Sequence, residues 1–302
     1  MGTEQTQMHA DMFVMDEERV RRLVAGQFPR WAGLAVVRVA SGGTVNAMYR
    51  LGDDMVVRLP LVRGGVDDVA VERGWLPRLA PRLTVSVPEV LGAGEAGEGY
   101  PWPWSVYRWL PGENPVAGAL REPVGLASDL AGFVGAMRSV ALPGAPAAYR
   151  GGPLASADAG TRAAIEELRG IPEEGVDCDG VLAVWEEAVR APEWEGAPVW
   201  LHADLMPGNL LVDGGGRLAS VIDFGCTGVG DPACDLFPAW NLLPEAGRDV
   251  FRELLDVDDA TWVRGRGRAL SQAVHALPYY RRTNPAMAEN ARYVIRAVSG
   301  SL

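Results

Sequence analysis

The chain has 302 residues, of which 48% are hydrophobic, and it carries a formal net charge of −11. It is long enough to bury a large core, and its negative charge argues against nucleic-acid binding, which depends on neutralising phosphates. No apolar run approaches the ~18 residues of a membrane span, and the first thirteen residues lack the basic start and apolar core of a secretion signal. We therefore expect a cytoplasmic protein, monomeric or weakly dimeric, without nucleic-acid or membrane partners.

The N-terminal third has the pattern of one helix followed by an antiparallel sheet. A helix is predicted to begin after Asp16, which can cap it. Apolar residues then recur at helical spacing, namely Val20, Leu23, Val24 and Phe28. Three strand-like runs follow at residues 34–40, 45–51 and 55–59, separated by short glycine-containing turns.

The turn between the first two strands reads Ser41-Gly42-Gly43-Thr44, and Asn46 lies just beyond it. Because glycine has no Cβ, backbone N–H groups in such a turn can approach a phosphate closely. An ordinary hairpin turn is the competing interpretation. Kinases cover their nucleotide with a glycine-rich hairpin in this position, which favours the phosphate role for all five residues.

Arg58 lies in the third strand, where kinases place a lysine that contacts the α- and β-phosphates. The chain contains no lysine, so arginine supplies the charge here, although its planar fork is not equivalent to a point charge. We predict that Arg58 contacts the nucleotide and pairs with an acid on a helix at residues 66–80. Glu72 is the favoured partner, with Asp67 and Asp68 as alternatives.

A strand at 88–92 and an aromatic strand at 104–108 complete the predicted sheet. In a kinase arrangement, residues 107–112 would connect this strand to the large lobe and bind the nucleotide base with backbone groups, so Tyr107 and Trp109 are candidate nucleotide contacts. Packing in the core is the competing role for the tryptophans of this run. The turn-forming segment 110–113 is the expected hinge between two lobes.

Beyond the hinge the pattern is mainly helical, apart from the Pro- and Gly-rich segment 142–153, which is expected to form a surface loop. Helices are predicted at residues 123–140, 156–168, 179–190, 234–243, 245–255, 259–275 and 286–298. Several side chains in this half could select an acceptor, although each also has a structural interpretation. They are Asp231, Asp235, Trp240, Asn241, His275, Tyr279 and Tyr280.

The strongest motif reads LHADLMPGNLLVDGGGRLASVIDFG and combines an H-x-D-x-x-x-x-N loop, two apolar strands and Asp-Phe-Gly. If 210–212 and 218–222 pair as a hairpin closed by the glycine turn, Asp204 and Asn209 arrive from one flank and Asp223 from the other. Phosphoryl transfer needs an aimed hydroxyl and Mg²⁺ on the phosphate oxygens. We predict Asp204 as base or orienting group, and Asn209 and Asp223 as oxygen ligands of Mg²⁺. A hairpin with surface carboxylates is the structural alternative.

HADLMPGN, followed by VIDFG and then GDPACDL, resembles the aminoglycoside phosphotransferase family of small-molecule kinases, from about residue 16 to about residue 295. The resemblance implies an α+β, bilobal protein-kinase-like fold. Its small lobe, at 14–109, would hold an antiparallel sheet plus a helix and bind the nucleotide. Its larger, mainly helical lobe, at 114–302, would carry catalysis and the substrate, beyond a hinge at 110–113.

The same resemblance assigns roles that agree with the residue types. Asp204 matches the family's base, and Asn209 and Asp223 match its magnesium pair. Asp235 matches a carboxylate that braces the catalytic loop, and His202 is expected to shape that loop. Asp-Phe-Gly leads almost directly into Gly-Asp-Pro, which leaves no room for a long activation loop, so we predict activity without activation-loop phosphorylation.

The resemblance implies transfer of the γ-phosphate of ATP or GTP, with Mg²⁺, to a hydroxylated small molecule. The expected acceptor is an antibiotic, such as an aminoglycoside or another natural product, and the expected effect is resistance. One alternative is a metabolic kinase that acts on an amino sugar or amino alcohol. Another is a nucleotide-binding protein without catalysis, suggested by the arginine at position 58.

Overall fold

The computed structural model describes residues 12–39 and 45–300, which form two units. Unit 1 comprises the described part of Met1–Pro81, together with Ser86–Pro111 and Ile222–Gly225. Unit 2 comprises Arg82–Val85, Gly112–Val221 and the described part of Cys226–Leu302. Each unit has its own secondary structure and packing.

Unit 1 is built on a five-stranded antiparallel sheet of order β1-β2-β3-β5-β4. Its strands are β1 (Val36–Arg38), β2 (Asn46–Leu51), β3 (Met55–Pro60), β4 (Val90–Gly94) and β5 (Trp104–Arg108). All six residues of the central strand β3 are buried, including Arg58. The predicted strands are therefore confirmed, although β1 is shorter than expected.

Two helices accompany this sheet, α1 (Glu17–Gln27) and α2 (Val66–Leu79). Asp16 caps α1 as predicted, since its Oδ1 accepts a hydrogen bond of 2.7 Å from the Arg19 backbone N–H. The apolar face of α1 packs into a core with Tyr49 and Trp104, both of which are fully buried.

Unit 2 is mainly helical, and its longest helix, α8, packs against α4, α5 and α9, while α3 packs against α7. The helices are α3 (Pro123–Arg138), α4 (Asp158–Arg169), α5 (Cys178–Arg190), α6 (Pro238–Asn241), α7 (Glu245–Leu255), α8 (Asp259–Tyr280) and α9 (Pro285–Val298). None of the helices within 12–39 and 45–300 is long and apolar enough to cross a membrane.

The predicted helix at 234–243 is wrong as a single element. The chain instead forms a 3₁₀ helix at Pro232–Leu236 and then the short helix α6. Pro238 explains the break, because proline has no N–H to donate to the preceding turn and favours the first turn of a helix, where it begins α6. In contrast, α8 continues through Pro278 to Tyr280, five residues beyond its predicted end at His275.

Unit 2 also contains two short antiparallel strand pairs. Strands β7 (Leu210–Val212) and β8 (Leu218–Val221) form the predicted hairpin, with Leu210 opposite Val221. Strands β6 (Val199–Leu201) and β9 (Gly228–Gly230) form a second pair that the sequence did not predict. Because β6 ends at Leu201, this pair fixes the start of the loop that carries Asp204.

Candidate active site

The fully buried carboxylate of Asp235 holds the loop that follows β6. Its two oxygens each accept a 2.7 Å hydrogen bond, one from the backbone N–H of His202 and one from that of Ala203. Ala203 has a φ of 65°, in the left-handed region that non-glycine residues seldom adopt. Asp235 thus fixes the loop in a conformation that its sequence alone does not favour.

His202 is also fully buried, and its Nδ1 accepts a hydrogen bond of 3.2 Å from the Asp204 backbone N–H. The imidazole edge packs against Phe133 at a ring-centroid distance of 6.3 Å. These contacts place the histidine under the loop, where it shapes the backbone. Burial raises the pKa of Asp235, and the nearby His202 and the two donated N–H groups oppose that rise.

Both oxygens of the Asp204 carboxylate have a protein donor in unit 2. Asn209 Nδ2 donates to Oδ2 at 2.9 Å and to the Asp204 carbonyl at 2.8 Å. Arg150 Nη1 donates to Oδ1 at 2.9 Å. Burial alone would lower the pKa of Arg150, but the Asp204 carboxylate reverses the effect and the pKa is raised. Asp204 therefore lies in a fixed orientation beside a permanent positive charge.

Sequence reasoning missed Arg150, which belongs to the segment expected to be a surface loop. Residues 146–151 instead lie against β9, with Ala148 N–H bonded to the Val229 carbonyl at 3.0 Å. A Cβ on Gly228 would lie 2.5 Å from the Ala148 nitrogen, so only glycine permits this approach. The guanidinium of Arg268 then binds the carbonyls of Arg150 and Gly152, each at 2.5 Å. No local pattern in the sequence reveals such long-range contacts.

In unit 1, Arg58 lies among acidic and amide groups. Its Nη1 is 2.7 Å from Glu72 Oε1, and its Nη2 is 2.6 Å from Asp223 Oδ1. With its amide oxygen facing the guanidinium, Asn46 accepts from Arg58 Nε at 3.1 Å and Nη2 at 2.9 Å. Of the three acids that the sequence left open, Glu72 is the one that pairs with Arg58. Burial would lower the pKa of Arg58, but Asp223 and Glu72 raise it well above its usual value.

Glu72 is 1% exposed and is bound from three sides. Besides Arg58, it accepts hydrogen bonds from the Tyr107 hydroxyl and from the Phe224 backbone N–H, the latter at 2.8 Å. Burial raises the pKa of Glu72, an effect that Arg58 counteracts. Glu72 thereby joins α2, strand β5 and the Asp-Phe-Gly segment, and Asp223 stands in that segment with a left-handed φ of 64°.

The other residues predicted to contact the nucleotide are Tyr107, Trp109 and the turn Ser41-Gly42-Gly43-Thr44. The Tyr107 side chain is buried and bound to Glu72, and the Tyr107 backbone is paired within the sheet, between β3 and β4. The Trp109 N–H donates to the Asp54 carbonyl at 2.8 Å, and the Arg50 guanidinium lies 4.2 Å from the Trp109 ring. The stretch Ser41-Gly42-Gly43-Thr44 lies outside the described residues.

Asn209 and Asp223 carry oxygens of the kind that Mg²⁺ prefers. Since the Asn209 amide nitrogen donates to Asp204, its oxygen is the atom left for a cation. In 12–39 and 45–300, no cluster of three or more His, Cys, Asp or Glu side chains could hold a metal ion by itself. Such a sparse donor set fits Mg²⁺, which usually keeps several waters and binds through substrate phosphates.

Most of the candidate acceptor residues have structural partners. Asp231 is ion-paired with Arg264 at 2.9 Å and with Arg268 at 3.2 Å. Trp240 is buried against Trp262, with ring centroids 4.6 Å apart. His275 and Tyr279 are exposed on α8, and Tyr280 packs edge-on against Tyr279. Asn241 differs from these, because it lines a pocket.

The folds most similar to this chain include antibiotic kinases. The GDP complex of wild-type aminoglycoside 2'-phosphotransferase-IIIa is 18% identical, with a TM-score of 0.74, over 95% of this chain and 100% of that one. The apoenzyme of macrolide 2'-phosphotransferase from Brachybacterium faecium is 22% identical, with a TM-score of 0.57, over 93% and 97%. No curated protein sequence matches the chain closely enough to count as a relative. At these identities the likeness shows the fold, which is protein-kinase-like as predicted.

The sequence itself shows the family. The model of the phosphotransferase enzyme family (APH) matches residues 36–270, which is most of the chain. The protein belongs to this family and is a kinase-type phosphotransferase, so the resemblance noted in its motifs is confirmed.

Proposed function

We propose that this enzyme transfers the γ-phosphoryl group of ATP or GTP to a hydroxyl of a small molecule, with Asp204 as the base. The observation that carries the proposal is the fixed geometry of the Asp204 carboxylate, which Asn209 holds through Oδ2 and Arg150 through Oδ1. A carboxylate oxygen has two acceptor sites, so one protein donor on it does not exclude a hydrogen bond from an acceptor hydroxyl. A base held this way loses little entropy when the acceptor binds.

On the nucleotide side, Arg58 supplies the positive charge for the α- and β-phosphates. Its guanidinium is 7% exposed and spans two carboxylates, those of Glu72 and Asp223. The arginine fork suits this bridging position, since a lysine ammonium could not keep both contacts with the same planar geometry. Asn46 and the Ser41-Gly42-Gly43-Thr44 turn are proposed as further phosphate contacts.

Asn209 and Asp223 are the residues that would hold Mg²⁺. When bound, the ion would neutralise charge on the phosphate oxygens during transfer. The chain's own part is to orient the two ligands. In unit 2, Asn209 directly precedes β7 and donates to the Asp204 carboxylate. In unit 1, the Asp223 carboxylate is ion-paired with Arg58.

The acceptor proposed here is an antibiotic. Structures similar to this one include a complex of an aminoglycoside phosphotransferase with GDP and kanamycin, at 19% identity, and a macrolide phosphotransferase. A metabolic kinase for an amino sugar or amino alcohol has the same chemistry and is the second candidate. Similar structures carry GDP in some cases and ADP or ATP in others, so both GTP and ATP belong in any test.

The test is nucleotide consumption by the purified protein with Mg²⁺ and either ATP or GTP, across aminoglycosides, macrolides, other hydroxylated antibiotics and amino alcohols. Acceptor-dependent turnover with one class supports the proposal and names the substrate. Turnover that does not depend on any acceptor contradicts it, as would tight nucleotide binding with no transfer to any of the four classes.

A further inference from the structure

The side chain of Arg150 leaves part of its hydrogen-bonding capacity unused beside the proposed base. Its Nη1 donates to Asp204 Oδ1 at 2.9 Å and to the Ala203 carbonyl at 3.3 Å, and it lies 3.9 Å from Cys226 Sγ. Its Nε and Nη2 make no hydrogen bond to any residue in 12–39 and 45–300, and neither atom is buried. The side chain as a whole is 29% exposed. Arg150 can therefore bind a second group without giving up its contact with Asp204.

Several contacts hold the guanidinium of Arg150 in place. Arg268 donates to the Arg150 carbonyl at 2.5 Å, and the Tyr149 backbone N–H donates to the Cys226 carbonyl at 3.2 Å. The Arg150 Cζ lies 4.9 Å from the centre of the Tyr149 ring, so the ring covers one face of the guanidinium. A ligand would therefore meet a positive charge that is already in position, which is the condition for strong electrostatic stabilisation.

Orienting Asp204 does not by itself require a cation. The neutral amide of Asn209 already fixes Oδ2, and a neutral donor could fix Oδ1 in the same way. The positive charge is explained if a second anion comes to this place during the reaction. Phosphoryl transfer brings one, because the γ-phosphoryl group has to reach the acceptor hydroxyl at Asp204. Without a cation beside them, the phosphoryl oxygens and the carboxylate would repel each other.

We propose that Arg150 is a catalytic residue, whose Nε and Nη2 donors bind oxygens of the γ-phosphoryl group while Asp204 accepts the proton of the acceptor hydroxyl. In this step the acceptor oxygen bonds to the γ-phosphorus, and the bond from that phosphorus to the β–γ bridging oxygen breaks. The nucleoside diphosphate leaves with that oxygen and the bonding electron pair. Arg150 stabilises the negative charge on the transferring oxygens, a role for which the arginine fork is suited. The inference rests on the proposed function and goes beyond it, because there Arg150 only orients the base.

The test measures nucleotide binding by calorimetry with Mg²⁺, which does not require turnover. AMPPNP carries a γ-phosphoryl group that is not transferred and ADP lacks this group, so the ratio of their Kd values reports the γ-phosphoryl contact. GMPPNP and GDP replace them if the protein binds guanine nucleotides more tightly. Arg150→Met removes the charge and the donors but keeps an unbranched side chain. Arg169→Met is the matched control, because Arg169 is an ion-paired arginine of α4 on the surface of unit 2.

We expect the Kd of AMPPNP to rise roughly tenfold or more in Arg150→Met, as for the loss of a hydrogen bond to a charged group, while the Kd of ADP stays within about threefold. Arg169→Met should change neither Kd. Loss of Arg150 also leaves the Asp204 carboxylate without its ion pair, so the comparison is repeated in an Asp204→Asn background. A direct contact predicts that Arg150→Met still weakens AMPPNP binding there by about threefold or more. Arg150→Gln, which can donate a neutral hydrogen bond, should behave like Arg150→Met and replaces it if that variant does not fold.

Two results would overturn the inference. One is an AMPPNP affinity that neither Arg150→Met nor Arg150→Gln changes, and the other is an effect that disappears in the Asp204→Asn background, since Arg150 would then act only through the base. Wild-type protein that shows the expected dependence on Arg150 but transfers phosphate to no acceptor contradicts the proposed function alone. Transfer by a protein whose AMPPNP affinity does not depend on Arg150 contradicts the inference alone.

Discussion

Replacing Asp235 with asparagine should disturb the catalytic loop, which carries Asp204, and should affect kcat more than nucleotide KM. The Asp235 carboxylate is fully buried and accepts hydrogen bonds from the backbone N–H groups of His202 and Ala203, both at 2.7 Å. Asparagine has the same shape but only one acceptor oxygen, so its NH₂ group would face one of the two N–H donors. The loop would then lose one of the two contacts that hold its backbone, in which Ala203 has a φ of 65°.

The expected loss of stability follows from these contacts. A hydrogen bond to a charged group contributes about 1.5–3 kcal/mol, and a buried N–H left without an acceptor costs a further ~1–3 kcal/mol. Part of this is offset, because burial raises the pKa of Asp235 and asparagine carries no charge to desolvate. We expect the free energy of unfolding of Asp235→Asn to fall by about 2–3 kcal/mol.

The assay combines urea denaturation with steady-state kinetics. Because Asp235 holds the loop through His202 and Ala203, kcat should fall at least tenfold while nucleotide KM changes less than threefold. Asp129→Asn is the control, since Asp129 is also a hydrogen-bonded acid of unit 2 but is ion-paired with Arg217 on the surface. An unchanged kcat, or an equal fall in both variants, would show that Asp235 does not hold the catalytic loop.

We also make predictions for variants of Asp68, Arg58 and Arg150. Burial and the charge of Asp223 raise the pKa of Asp68 from 3.8 to about 6, so folding stability falls as pH rises through this range. Asp68→Asn should therefore be more stable than the wild type by about 1 kcal/mol at pH 8, after discounting for partial exposure, and equally stable at pH 4 in urea denaturation. A difference that does not vary with pH would contradict this. Arg58→Lys keeps the charge but loses the fork, so nucleotide KM should rise roughly tenfold; improved activity would show that the site accepts a point charge. Arg150→Met removes the ion pair of Asp204 and should lower kcat about tenfold, with partial recovery in Arg150→Lys. Full activity of Arg150→Met would show that the pair is not used in catalysis.

The features that the sequence predicts well depend on local physical chemistry. Asp16 begins a helix because its side chain accepts a nearby backbone N–H, and the glycine turn after β7 closes a hairpin with a neighbouring strand. The pairing of Arg58 with Glu72 could be predicted because α2 follows β3, which is the order of helix and strand in kinases. Each of these predictions rests on residues that are close together in the sequence or on a motif of fixed spacing.

The features that the sequence misses depend on contacts distant in the chain. Strand β9 is three residues long and contains two glycines, so no alternation marks it as the partner of β6. Arg150 reaches Asp204 only because β9 and Arg268 fix its backbone. The error at 234–243 is of a different kind, since Pro238 is a visible break signal that the apolar spacing around it obscured.

The most direct test of the account is the kcat of Asp204→Asn with Mg²⁺, nucleotide and the best acceptor, measured beside its nucleotide Kd. Asparagine preserves the shape of the side chain but cannot take a proton from the acceptor hydroxyl. If Asp204 is the base, kcat should fall by about 10²–10⁴-fold while nucleotide Kd stays within about threefold. A variant that keeps its kcat within tenfold of the wild type would show that Asp204 is not the base.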